Sequence, residues 1–158
     1  MEKKILDLVN VYEADARRVR HYLHENPEVA TEEVETSRFL KERVGNLGLT
    51  IEEVPKRGRS AGHGFIATLD TGRPGKTIAL RTDIDALPVK ESLYNLAQPR
   101  KVMSQNDGVM HACGHDGHMA ILLASMKILS DLRNELSGKI IFVFEEGEEI
   151  SAGICEMV

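Results

Sequence analysis

At 158 residues and 42% hydrophobic content, the chain has the size and apolar fraction of one globular domain. Its formal net charge of -5 excludes the basic footprint of a nucleic-acid or anionic-membrane binder. The longest basic cluster, Lys56-Arg57-Gly58-Arg59, sits among acids and glycines and reads as a solvated loop. Cys113 and Cys155 are too few for a disulfide framework. Charges at Glu2, Lys3, Lys4 and Asp7 interrupt any apolar leader, and no uncharged apolar run approaches membrane-spanning length. A soluble, reduced, cytoplasmic protein without an export signal is expected.

From Ile5 to Leu23, apolar residues recur at Ile5, Leu8, Val9, Tyr12, Ala16, Val19 and Leu23. That spacing predicts an amphipathic helix, which Asn26-Pro27 stops. A second helix is expected from Thr31, whose hydroxyl can cap it with Glu32 and Glu33 in the first turn, through Phe39, Leu40 and Val44 to Gly48. Three β-prone runs follow at 50–54, 64–69 and 77–80. The turn Thr71-Gly72-Arg73-Pro74-Gly75 predicts a hairpin between the last two. After Pro88 a polar stretch reaching Asn106-Asp107-Gly108 reads as a long loop. Ile121, Leu122, Met126, Leu129 and Leu132 mark a helix ending at Gly138, and Lys139–Phe144 reads as a fully buried strand. Strand, helix and strand in series imply a layered α/β sheet.

Chemistry concentrates in His111-Ala112-Cys113-Gly114-His115-Asp116-Gly117-His118, with three histidines and a cysteine in eight residues. A lone histidine is more often a satisfied core or surface residue. Cys113 and His115, two apart in a glycine-containing loop at the mouth of a helix, can instead aim sulfur and imidazole at one point, which is metal-ligand spacing. The same pair could also be a thiol nucleophile and its base. Glu145-Glu146-Gly147-Glu148-Glu149 follows the last strand, and ligands gather at the carboxyl ends of strands in α/β sheets. Alone, that run fits a solvated acidic turn. Beside a divalent cation, one glutamate can bind the ion while its neighbour holds a water, the division that metal-assisted hydrolysis needs. In Arg81-Thr82-Asp83-Ile84-Asp85-Ala86-Leu87-Pro88 two aspartates leave a strand's carboxyl end, where one could orient a ligand imidazole or simply cap a turn.

Leu80–Pro88, Gly108–His118 and the Glu148-Glu149 pair, together with Arg20-His21-Tyr22-Leu23-His24-Glu25-Asn26-Pro27-Glu28, resemble the metal-dependent amidohydrolases of the aminoacylase, hippurate hydrolase and auxin-conjugate hydrolase family. The resemblance runs collinearly through nearly the whole chain. It implies an α/β/α zinc-exopeptidase-like catalytic domain with two divalent ions per complete site, zinc or else manganese, cobalt or nickel. It also implies Cys113 as the ligand bridging them, His115 as a terminal ligand, Glu149 as a ligand, Glu148 as general base and Asp85 as the orienting aspartate. The implied reaction is hydrolysis of the amide bond of an N-acyl amino acid or a similar small amide. Relatives usually carry Gln-Pro-Ala before the glutamate pair, whereas this chain has Glu145-Glu146-Gly147.

Proteins of this kind are more than twice as long and draw two further histidine ligands from beyond the glutamate pair. All six histidines here lie before Glu148. Residues 1–158 are therefore expected to be the N-terminal part of one catalytic domain, without its lid and dimerisation domain. Three readings stand at this point: the hydrolase; a catalytically silent fragment whose open sheet edge serves binding, assembly or homo-oligomers; and a cysteine hydrolase using Cys113 and His115.

Overall fold

The computed structural model describes residues 1–96 and 98–157. Helix α1 runs Glu2–Glu25 and α2 runs Val34–Gly45; strands β1 (Thr50–Glu53), β2 (Phe65–Asp70) and β3 (Thr77–Asp83) follow. A two-residue ladder, β4 (Tyr94–Asn95) with β5 (Gln98–Pro99), interrupts the expected loop. Helix α3 (His115–Asp131), strand β6 (Lys139–Glu145) and a short α4 (Ile154–Met157) complete the chain.

The main sheet has the order β1-β2-β6-β3, with β3 parallel to β6 and the other pairs antiparallel. This is the mixed α/β architecture expected, with one correction to its connectivity. β2 and β3 form no hairpin, because β6 lies between them. The Thr71–Gly75 turn passes under the start of β6: Gly138 N–H donates to the Arg73 carbonyl, and Thr71 N–H donates to the Gly138 carbonyl. Gly75 and Gly138 approach so closely there that a Cβ on Gly75 would lie 2.6 Å from Gly138 N.

Alternation along the strands sets the core. Phe65, Ala67 and Leu69 of β2 stand opposite Phe144, Phe142 and Ile140 of β6, and all are buried on one face. The Phe65 and Phe144 rings stack with centroids 4.2 Å apart. Val19 and Leu23 of α1, Leu40 and Val44 of α2, and Met119, Leu122, Leu123 and Met126 of α3 join the same core. On the other face Ile141 and Val143 are half-buried, so β6 is not the fully covered strand its composition suggests.

The helix boundaries also differ from the local signals. Thr31 has φ +69°, outside helical space, and α2 starts three residues later. The Glu28 carboxylate takes over the capping role, accepting the Glu35 and Thr36 N–H groups at 3.1 and 2.7 Å. Helix α2 ends at Gly45 rather than Gly48, and α3 ends at Asp131, with a 3-10 turn (Arg133–Glu135) before Gly138. Helix α1 buries only Val19, Leu23 and His24; its first half leaves Ile5, Leu6 and Val9 exposed. No described helix is long and apolar enough to cross a membrane.

Candidate metal centre

Parallel pairing in register places Asp83 at the end of β3 beside Glu145 at the end of β6. The next residues of each strand therefore leave the sheet at one edge, and α3 begins there with His115. Gly114 caps α3 at φ +90°, a left-handed conformation that costs a side-chain-bearing residue about 1–2 kcal/mol. That reversal lets Cys113 and His115 face the same edge.

The donor atoms of Cys113, His115 and Glu149 lie within 4.8 Å of one another. His115 is buried, and its Nδ1 is 2.9 Å from the Asp85 carbonyl and 3.1 Å from Asp85 Oδ1. With two acceptors at Nδ1, that nitrogen carries the proton and Nε2 faces the site. Burial alone would lower the His115 pKa, but the Asp85 contacts and the Asp83 charge outweigh it and raise it to about 9. Asp85 Oδ2 accepts the Glu149 N–H at 3.0 Å. Burial pushes Asp85 up, yet the His115 hydrogen bond and the Glu149 N–H hold its carboxyl below the usual range.

Glu149 Oε1 is buried with no hydrogen-bond partner among the described residues. A fully desolvated carboxylate oxygen beside a thiol and an imidazole nitrogen is a donor set that fits a divalent cation, and leaving it unpaired is costly. Cys113 is exposed, yet partial desolvation of its sulfur together with the neighbouring Glu149 and Glu148 carboxylates raises its pKa, opposing a free thiolate. Glu148 lies at the open side: its Oε2 is 3.9 Å from His115 Nε2 and its Oε1 is 3.8 Å from an Arg81 nitrogen. Cys113, His115, Asp85, Glu148 and Glu149 are thus all brought to one edge.

Several further residues shape this edge or its surroundings without having been singled out in the sequence reading. Arg81 pairs with Asp83 and sits 2.5 Å from Glu145 Oε2, without the alignment of a hydrogen bond, so its guanidinium offsets part of the charge of this acidic edge. Asp83, His115 and exposed His118 form a second group of converging donors. His24 of α1 joins Asp116 Oδ2 at 2.8 Å and Glu91 Oε1 at 2.9 Å, tying the long loop and α1 to the start of α3. His111 is buried with neither ring nitrogen partnered among the described residues, and burial depresses its pKa to about 4, so it is a neutral imidazole at pH 7. Arg20 and His24 stood in the quoted N-terminal motif, whose His-Glu-Asn-Pro spacing was the only available signal.

Residues 79–158, half of the chain, match the sequence profile of Peptidase family M20/M25/M40. The chain belongs to that family of hydrolases. It is 37% identical over 157 residues to an N-acyl-L-amino acid amidohydrolase of Geobacillus stearothermophilus, covering 98% of this chain and 39% of that protein. It is also 37% identical over 140 residues to IAA-amino acid hydrolase ILR1-like 2 of Arabidopsis thaliana, covering 89% of this chain and 29% of that one. Among solved structures it superposes on the YXEP protein of Bacillus subtilis, described as a dinuclear metal binding peptidase from the M20 family, with a TM-score of 0.81 and 34% identity over 94% of this chain and 39% of that chain. The chain thus spans about two-fifths or less of the length of these relatives.

Proposed function

We propose that this chain contributes the metal-binding edge of a catalytic domain that hydrolyses the amide bond of N-acyl amino acids or similar small amides. Cys113, His115 and Glu149 are the proposed ligands, Glu148 the general base and Asp85 the residue that orients His115. The observation that carries the reading is the convergence of the three donor atoms within 4.8 Å, with His115 Nδ1 already engaged by Asp85. The names of the relatives, an N-acyl-L-amino acid amidohydrolase and an IAA-amino acid hydrolase, support the substrate class. Zinc, manganese, cobalt and nickel all suit a thiolate, imidazole and carboxylate set, and two ions per complete site follow the dinuclear neighbour. Free Cys113 and Cys155 favour a reducing, cytoplasmic setting.

A divalent cation, which Cys113, His115 and Glu149 would hold, would supply acidification of a water and polarisation of an amide carbonyl. Glu148 takes the water proton as the carbon–oxygen bond forms, then delivers it to the nitrogen as the carbon–nitrogen bond breaks. Asp85 holds the imidazole in the tautomer that presents Nε2, and Arg81 offsets the charge of Asp83 and Glu145.

The test has a binding arm and a turnover arm. In the binding arm, zinc or manganese affinity of the chain falls in Cys113→Ala and Glu149→Gln. In the turnover arm, run on the complete catalytic domain to which the chain contributes this edge, N-acetyl amino acids are hydrolysed in a chelator-sensitive way, and Glu148→Gln lowers the rate about 10²–10⁴-fold while cation binding persists. Unchanged affinity in both ligand variants overturns the reading. Hydrolysis abolished by thiol alkylation but indifferent to chelators points instead to the cysteine mechanism.

A further inference from the structure

We propose that Glu33, His63 and Glu146 hold a divalent cation at a second site that shares no residue with the Cys113 centre. Three separate segments deliver these side chains: Glu33 immediately before α2, His63 in the loop before β2, and Glu146 just after β6. One donor atom from each lies within 4.8 Å of the other two. Glu33 and Glu146 are both 0% exposed, and His63 is half-buried, which leaves an approach from solvent.

The hydrogen bonding defines what is missing. Both Glu146 oxygens accept hydrogen bonds: Oε1 from the Ser60 hydroxyl and the Gly62 N–H, and Oε2 from the His63 N–H at 2.9 Å. Glu33 Oε1 accepts the Gly147 N–H at 2.7 Å, but its Oε2 is buried with no partner among the described residues. Two carboxylates packed together away from water, one with an orphaned oxygen, need a positive charge or a proton. Burial, with the nearby Asp85 and Glu146 charges, accordingly raises the Glu33 pKa to about 8.

A shared proton would satisfy one oxygen only. A cation engages both carboxylates and the imidazole nitrogen at once, and two carboxylates with one imidazole suit zinc or manganese. The set lacks a thiolate, so it is harder than the Cys113 centre and favours manganese relative to it. Because Glu146 and Gly147 immediately precede Glu148, an ion here also pins the turn that carries the glutamate pair.

The probe is Mn²⁺, followed by electron paramagnetic resonance on the 158-residue chain. In Cys113→Ala/Glu149→Gln, which disables the first centre, one ion per chain is expected to remain bound. Adding Glu33→Gln or His63→Gln should remove it, with circular dichroism in the absence of cation confirming that each variant is folded. In the otherwise unaltered chain, Glu33→Gln should lower the saturating stoichiometry by one ion, while Mn²⁺ still protects Cys113 from alkylation. No ion in the Cys113→Ala/Glu149→Gln chain overturns the proposal, as does an ion indifferent to both further substitutions. A protonated-carboxyl infrared band that survives saturating Mn²⁺ and vanishes in Glu33→Gln also overturns it, showing a shared proton instead.

Discussion

Asp85 binds His115 twice and Glu149 once: its carbonyl and Oδ1 both face His115 Nδ1, and its Oδ2 accepts the Glu149 N–H. A single buried residue therefore sets the imidazole tautomer and anchors the backbone of the proposed carboxylate ligand. Asp85→Asn is expected to weaken zinc or manganese binding about 10–100-fold, the usual cost of losing a carboxylate behind a ligand histidine. Asp85→Ala should in addition destabilise the cation-free chain by about 3 kcal/mol, because it removes one partner of a buried pair. Metal titration and denaturant melts separate the two effects.

The stability of the cation-free chain should fall above neutral pH. His115 binds its proton more tightly folded than unfolded, so its contribution is complete below the unfolded value of 6.5 and is lost as pH rises to about 9. Glu33, raised from 4.5 to about 8, likewise favours the folded state at low pH and loses that contribution between those values. His111, depressed from 6.5 to about 4, works the other way. From about 4.5 to 6.5 the slopes of Glu33 and His111 cancel, and above 6.5 Glu33 and His115 both lower stability. Melts in chelator across pH 5–9 are expected to show a flat region and then a decline, with Glu33→Gln turning the flat region into a rise and making the decline shallower between about pH 6.5 and 8, where only the His115 contribution is then lost. A rise in stability between pH 7 and 9 would contradict these shifts.

Cation affinity should move in the opposite direction. A metal at His115 Nε2 competes with the proton that this ring holds up to about pH 9, and one at Cys113 displaces the thiol proton, so affinity is expected to increase from pH 6 to 9, by up to about tenfold per unit for each proton released. Zinc titrations in a non-coordinating buffer check this.

Gly114 and Gly147 offer a paired comparison. Both have positive φ, +90° and +58°, but a Cβ at Gly114 meets nothing within 4 Å, whereas one at Gly147 would lie 2.7 Å from the Ala152 Cβ. Gly114→Ala should therefore cost about 1–2 kcal/mol of backbone strain alone. Gly147→Ala should cost more and should also weaken metal binding, because Glu148 and Glu149 ride on the turn that it caps.

Arg81 is partly exposed but faces three carboxylates. Arg81→Gln is expected to cost about 1–2 kcal/mol at neutral pH, a buried-pair loss discounted for solvent screening. The deficit should shrink in acid, since burial already raises the Glu145 pKa and protonation removes the charge Arg81 offsets. Urea melts at pH 5 and pH 7 measure the difference.

Much of the fold was local enough to read from sequence. The 3.6-residue spacing in α1, the β-branched runs of β1 to β3, the buried run of β6 and the glycine-bounded His/Cys cluster each depend on neighbours within a few residues. That Cys113 and His115 could turn their side chains to one point was legible for the same reason. Strand order was not: β6 pairs with β2 across some 70 residues and displaces the hairpin that the Thr71–Gly75 turn suggests, because pairing is decided by which apolar faces can be buried together. The acidic run was divided only by folding. Strand alternation and the left-handed Gly147 turn send Glu145 to Arg81, Glu146 to the Ser60–His63 loop, Glu148 to the open edge and Glu149 to Cys113 and His115. Five adjacent residues in sequence thus acquire four environments, since a carboxylate's role is set by burial and by partners that only long-range contacts bring to it.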